Sequence, residues 1–134
     1  MLTPTEREAR IAMANYEDGL VVIAEALRQR ADADNIAITL GAEGVLIHAK
    51  VTEKGQWLTD RLAALNTAPK DVAGAGDCLL VCAAMAMAVG RSVWEALYLG
   101  SLAAACQVGR IGNVPLSATE LLVEIDKNSN VGKG

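Results

Sequence analysis

Seven consecutive residues, Asp71-Val72-Ala73-Gly74-Ala75-Gly76-Asp77, have the types and spacing that chemistry needs. Gly74, Ala75 and Gly76 are small and lead straight into an apolar run that reads as a buried helix over 75–89. The first backbone N–H groups of a helix have no partner within it, so they form an electropositive nest for an anion. Glycine lets such an anion approach the backbone closely. Asp77 falls in the first helical turn, beside that nest. A carboxylate there can take the proton of an attacking hydroxyl while the amides hold charge developing on a phosphate. An oriented base plus electrostatic stabilisation is what phosphoryl transfer requires. The same spacing also serves an ordinary glycine loop closed by a helix-capping aspartate, and the residues alone leave both readings open. Two common nucleotide signatures are absent. No Gly-Lys-Ser/Thr follows at Walker A spacing. No GxGxxG precedes an acid about 20 residues on, which argues against a dinucleotide-binding oxidoreductase.

The elements that must hold this loop follow from periodicity and caps. Thr3 reads as an N-cap with Pro4 at the first helical position, opening a helix over 3–14 whose acids Glu6 and Glu8 suit the helix dipole. Apolar residues at 20, 23, 24 and 27 predict a second helix over 20–30. Ile36–Leu40 and Val45–Ala49 read as strands, joined into a hairpin by the tight turn Gly41–Gly44. Thr52–Gly55 reads as a turn, Gln56–Thr59 as a third strand, and 62–67 as either strand or helix. Beyond the glycine loop the helix over 75–89 is apolar almost all round, which predicts burial on every side. Gly90 ends it. Ser92 and Glu95 form a capping box that opens a helix to about Val108. A loop over 109–115 and a helix over 117–125 follow, then a polar tail, 126–134, expected to be disordered. The order is that of an α/β layered domain with too few strands for a complete sheet, so 1–125 reads as part of a larger fold.

Composition narrows the function. The chain has 134 residues, 52% of them hydrophobic and 21% charged, which excludes a disordered chain. The net charge is −4 with no Lys/Arg cluster, which argues against nucleic acid as a partner. The longest apolar run, Cys78–Val89, falls well short of the roughly 20 residues that span a bilayer. The charged start TPTEREAR lacks the apolar core of a signal peptide, so a cytoplasmic location is expected. Cys78, Cys82 and Cys106 read as reduced, buried thiols; the first two share a helix face, and with the single His48 in an apolar strand they make a poor zinc set. Trp57, Trp94, Met85 and Met87 read as packing residues and Arg110 as a surface cation.

The segment DVAGAGD resembles the D-T-x-G-A-G-D signature of the ribokinase-like (PfkB) carbohydrate kinases. LTPTEREA, residues 2–9, resembles that family's T-P-N-x-x-E-A segment. TLGAEG, residues 39–44, resembles its T-L-G-x-x-G nucleotide turn. SLAAACQVGRIGNVPLS, residues 101–117, resembles its Ala-rich helix and glycine loop. The likeness spans about residues 2–125. Within the family, the D-V-x-G-A-G-D variant and the VGRIG segment are similar to the kinase domain of heptose-phosphate kinases of the ADP-heptose synthesis type.

The resemblance implies the C-terminal portion of a Rossmann-like three-layer fold and the use of ATP with Mg²⁺. It makes Asp77 the base that deprotonates the sugar hydroxyl and the amides of Gly74, Ala75 and Gly76 the anion hole for the γ-phosphate. Thr39, Gly41 and Gly44 would line the nucleotide phosphates and ribose, and Ser101, Ala104 and Ala105 would border the adenine. Glu8 would act on Mg²⁺ through water. Asp71, with the loop around Gly112, would help bind a monovalent cation such as K⁺. Three positions depart from the family pattern: Thr5 replaces its Asn, Ala73 stands where the heptose-kinase variant has Thr, and Leu79 stands where an aromatic is frequent. The family's N-terminal half, with most sugar-binding residues, has no counterpart here, so the chain reads as the nucleotide part of a sugar kinase. The alternative is a non-catalytic nucleotide-binding module, or a homodimerisation module joined through an open sheet edge.

Overall fold

Residues 2–5 pair with a strand before they start a helix. In the computed structural model, which describes residues 1–50, 55–66, 68–112 and 114–131, Leu2 and Thr5 form parallel bridges to Ile36 and Thr39. Ala37 N–H donates to Leu2 O at 2.9 Å and Thr39 N–H to Pro4 O at 2.9 Å. Helix α1 therefore spans only Glu6–Met13, and its N-cap is Thr5 rather than the expected Thr3 with Pro4 at the first position. The extended backbone that pairing demands is incompatible with helix at Pro4. Thr5 Oγ1 takes the N–H of Glu8, and the Glu8 carboxylate takes the N–H of Thr5, which closes a capping box.

The chain divides into two compact units, Met1–Ala64 and Leu65–Gly134. In the first, α1 and α2 (Leu20–Ala31) accompany an antiparallel sheet of order β1-β2-β3, with β1 at Asn35–Thr39, β2 at Val45–Lys50 and β3 at Trp57–Leu62. The hairpin between β1 and β2 is as expected; its connection Gly41–Glu43 is a turn of 3₁₀ helix. The third strand runs on to Leu62, which resolves the start of the ambiguous 62–67 segment; Thr67 and residues 52–54 of the expected turn lie outside the described residues. Ala9, Ile23, Ala24, Leu27, Ile36 and Ile38 form the core. The spacing 23, 24, 27 is the α2 stripe read from the sequence, pressed on β1.

In the second unit, α3 (Ala75–Ala88), α4 (Val93–Val108) and α5 (Ala118–Val131) follow in order. Helices α3 and α4 approach so closely that a Cβ on Gly100 would lie 2.6 Å from the Leu79 carbonyl oxygen. Buried Ala83, Ala86, Ala96 and Ala103 on the same two helices are equally small. Ser92 and Glu95 form the expected box at the start of α4. Two expectations change. Helix α3 is not buried all round: Leu79, Ala83 and Ala86 are buried, whereas Leu80, Val81 and Met85 are exposed. Its apolar residues outnumber what the α4 contact covers. Helix α5 runs through residues expected as a polar tail, with Lys127 paired to Glu124 at 3.1 Å and the Asn128 and Ser129 side chains bonded to backbone carbonyls one turn back. Residues 132–134 lie outside the described residues. No helix among the described residues is long and apolar enough to cross a membrane.

Candidate active site

The glycine loop is held by groups at both of its ends. Val108 O, at the end of α4, accepts the N–H of Lys70 at 2.7 Å and of Asp71 at 3.2 Å. The Asp71 carboxylate accepts the N–H of Ala73 at 3.0 Å and, from the loop after α4, the N–H of Gly112 at 3.1 Å. Those two amides, Ala73 first, hold the Asp71 carboxyl below the usual carboxylate range, so it stays charged. Asn66 Nδ2 donates to Ala105 O at 3.0 Å. Asp71 and the Gly112 loop are thus brought together as expected, by an aspartate acting as a staple.

Gly74 then turns the chain into α3 with φ 76° and ψ 0°, left-handed backbone that favours glycine. Ala75 N–H is already engaged, donating to Val72 O at 3.3 Å, which corrects the expectation that it is an open member of the anion nest. The amides of Gly76 and Asp77 find no acceptor among the described residues. A Cβ on Gly76 would meet nothing within 4 Å, so the turn is open on the side of that glycine. Asp77 is exposed at the third position of α3, and the helix has no side-chain cap. The capping-aspartate reading therefore has no support here: Asp77 points at no amide of its own helix end, whereas Glu8, Glu95 and Glu120 each do. An open pair of amides beside an uncommitted carboxylate can bind an anion and take a proton.

The other expected residues divide by unit. In the first, Thr39 is half-buried with its hydroxyl 3.4 Å from Pro4 O, and Gly41 and Gly44 flank the turn. Gly44, at φ 97°, is crowded: a Cβ would lie 2.0 Å from Leu62 O, so the exit of β3 permits only glycine. Glu8 spends one carboxylate oxygen on the Thr5 cap, and those bonds hold its pKa down. His48 is buried and fully engaged, with Nε2 2.8 Å from Glu25 and Nδ1 2.7 Å from Thr59, and it stacks on Trp57. Arg28 pairs with Glu25 and lies 3.9 Å over the Trp57 ring.

In the second unit, Ser101 is buried with its hydroxyl oxygen sealed from solvent, and Ala104 and Ala105 are half-buried. Cys78, Cys82 and Cys106 are free and half-buried rather than buried, and burial pushes all three thiols up. Arg110 is a partly exposed arginine paired with Glu120 at 2.9 Å. Among the described residues no group of three or more His, Cys, Asp or Glu is arranged to hold a metal. The sequence reading missed Gln107, 1% exposed, whose side chain reaches the glycine loop; a polar residue inside an Ala-rich helix was its available signal.

The sequence pattern of the pfkB family carbohydrate kinases matches residues 1–119. This chain belongs to that family. It is 32% identical over 135 residues to the Bifunctional protein HldE of Methylobacillus flagellatus, covering 98% of this chain and 26% of that protein. The chain thus spans about a quarter of the length of the curated relatives it matches. Among solved structures it is similar to phosphofructokinase-2 from Escherichia coli in complex with potassium (TM-score 0.77, 17% identity, 96% of this chain and 41% of that one). It is also similar to Arabidopsis thaliana ribokinase complexed with ribose and ATP (TM-score 0.73, 20% identity, 92% and 40%). The pfkB chain is therefore a partial ribokinase-like α/β fold, as the resemblance implied.

Proposed function

We propose that this chain is the ATP-binding part of a carbohydrate kinase that transfers the γ-phosphoryl group of ATP to a hydroxyl of a sugar or sugar phosphate, a heptose phosphate on the DVAGAGD and VGRIG resemblance. The observation that carries this reading is the open start of α3, where the Gly76 and Asp77 amides and the Asp77 carboxylate are all uncommitted. Asp77 takes the proton of the acceptor hydroxyl as its oxygen attacks the γ-phosphorus. The bond to the β-phosphate oxygen breaks, and ADP leaves. The amides of Gly76 and Asp77, at the positive end of α3, hold the charge of the moving phosphoryl group. The Asp71 staple fixes the loop that carries them.

The donor chemistry suits the ions that such a reaction uses. Asp71 remains charged and its oxygens can accept beyond the two amides, which fits a monovalent cation beside the Gly112 loop; the Escherichia coli neighbour holds potassium. Glu8 is a charged carboxylate with a second oxygen outside the cap, which fits a water-mediated contact to Mg²⁺. Mg²⁺ supplies neutralisation of the phosphate charges. Ala104 and Ala105, in the same unit as the glycine loop, would border the adenine; the Arabidopsis neighbour holds ribose and ATP.

Calorimetric titration of the 134-residue chain with Mg·ATP tests the reading, with Gly76→Val as its control. Saturable binding that the substitution abolishes, in a variant with unchanged circular dichroism, is the expected result. Equal binding by the two proteins would place the nucleotide elsewhere and overturn it.

A further inference from the structure

The turn that carries Asp77 is gripped from beneath by one buried carboxamide. Gln107, in the last full turn of α4, directs Nε2 to Ala73 O at 3.5 Å, and its Oε1 faces the Cys78 thiol at 3.9 Å. Ala73 immediately precedes Gly74, and Cys78 immediately follows Asp77. A single planar group therefore touches both ends of the turn 74–77. The Ala73 residue is caught on two sides, its N–H by Asp71 and its C=O by Gln107.

We propose that Gln107 is a positioning residue that sets the direction of the Asp77 carboxylate and of the open Gly76 and Asp77 amides. The proposal rests on the reading of that turn as a phosphate cradle. Each contact is long and weak alone. Their value lies in the pairing, because a carboxamide offers a donor and an acceptor on one rigid plane. Glutamate at the same length can accept from the thiol but sets an anionic oxygen against Ala73 O. Leucine fills similar volume and offers neither bond, so it separates packing from polarity.

Three amides are bonded within or beside the turn: Ala73 to Asp71, Ala75 to Val72 and Cys78 to Gly74. Their hydrogen exchange, followed by NMR in the full chain and corrected for intrinsic rates, reads the turn without reference to ligand. Gln107→Leu is expected to speed exchange at these three positions about tenfold while Ala83 and Ala86 in the body of α3 are unchanged. Gln107→Glu is expected to do the same at pH 7 and to regain protection as the pH is lowered, because a protonated carboxyl again donates to Ala73 O. Cys78→Ala, which removes one contact and keeps a good helix former, is expected to raise exchange about threefold at Cys78.

Unchanged protection at the three amides in folded Gln107→Leu overturns the proposal, as does exchange that rises evenly along α3 and α4. If the Gln107 variants do not fold, Cys78→Ala decides alone on the same criterion. Mg·ATP titration of the same proteins separates the two claims. A loosened turn in a chain whose wild type binds no Mg·ATP removes the phosphate reading and leaves the grip of Gln107 standing. Tight binding that survives a loosened turn removes the positioning role.

Discussion

Helices α1, α4 and α5 begin closed, and α3 begins open. Each of the three closed starts places a hydroxyl residue at the cap and a glutamate three residues on: Thr5 with Glu8, Ser92 with Glu95, Ser117 with Glu120. In each, the hydroxyl accepts an amide of the first turn and the carboxylate reaches back to the cap N–H, which satisfies donors that the helix leaves orphaned. Helix α3 has Gly74 at the cap and Asp77 at the same third position, and neither side chain covers an amide. An acid at one position of four helices thus has two physical roles. A hydroxyl cap turns it into structure; a glycine cap leaves it, and the amides beside it, for something else. Leaving donors uncovered costs stability; the start of α2 at Gly19 is uncapped too, but only α3 of the two has an acid beside its free amides, where a charge-bearing ligand would repay the cost.

The sharpest way to break this comparison is to exchange acid for amide at matched positions. In an active kinase that contains this chain, Asp77→Asn is expected to lower kcat for phosphoryl transfer from Mg·ATP by roughly 10²–10⁴-fold, the range for loss of a positioned base. Glu95→Gln, at the same helical position in α4, is expected to change it less than about threefold. Comparable losses in the two variants, or turnover by Asp77→Asn near that of wild type, would remove the distinction between the two kinds of helix start.

Stability should run the other way. Ser92→Ala and Ser117→Ala are each expected to cost about 1 kcal/mol in urea denaturation, the usual value of a lost cap. Gly74→Ala is expected to cost about 1–2 kcal/mol by a different route, because alanine resists the left-handed backbone that Gly74 adopts. Alanine at Gly76, where a Cβ meets nothing, should hold stability constant or raise it by up to about 1 kcal/mol, since the unfolded chain loses freedom. A destabilised Gly76→Ala would mean that the glycine serves the fold and not the space above it.

Much of this arrangement is legible in the sequence, and the remainder has definite physical reasons. The hairpin of β1 and β2, the Ser92 box and the helix start at Ala75 are local signals, and the structure carries them. The start of α1 is not local. Thr3 and Pro4 look like a helix entry until residues 35–39, far along the chain, recruit residues 2–5 as an extended edge. The T-x-x-E of Thr5 and the S-x-x-E of Ser117 are written in the same code as Ser92, and a plausible Pro4 start and a short loop obscured them. Helix α5 outlasts its apolar pattern because an ion pair and side-chain bonds to the backbone carry a polar stretch. At the candidate site, the glycines and Asp77 are visible as types and spacing. The enclosure of Ser101 and the reach of Gln107 depend on packing that no spacing reveals.

The smallest effect is the pH dependence of a closed start, and Glu120 shows it best. The Ser117 hydroxyl and amide, with Arg110 adding to them, pull its carboxyl from the ordinary 4.5 to about 2. A carboxyl depressed on folding contributes stability that is present above its unfolded value and is lost as the pH falls through its folded one. The contribution of Glu120 should therefore be whole at pH 7, start to fall below about 4.5 and be gone near 2. Glu120→Gln is expected to be less stable than wild type at pH 7, by an amount that shrinks through that window until the two denaturation curves meet. Glu120 is exposed, so solvent screens the gap and added salt should narrow the part that comes from Arg110. A gap that persists unchanged at pH 2 would show that the Glu120 side chain supports α5 by packing and not by charge, and the closed start of α5 would then differ from that of α3 for a reason other than hydrogen bonds to a carboxylate.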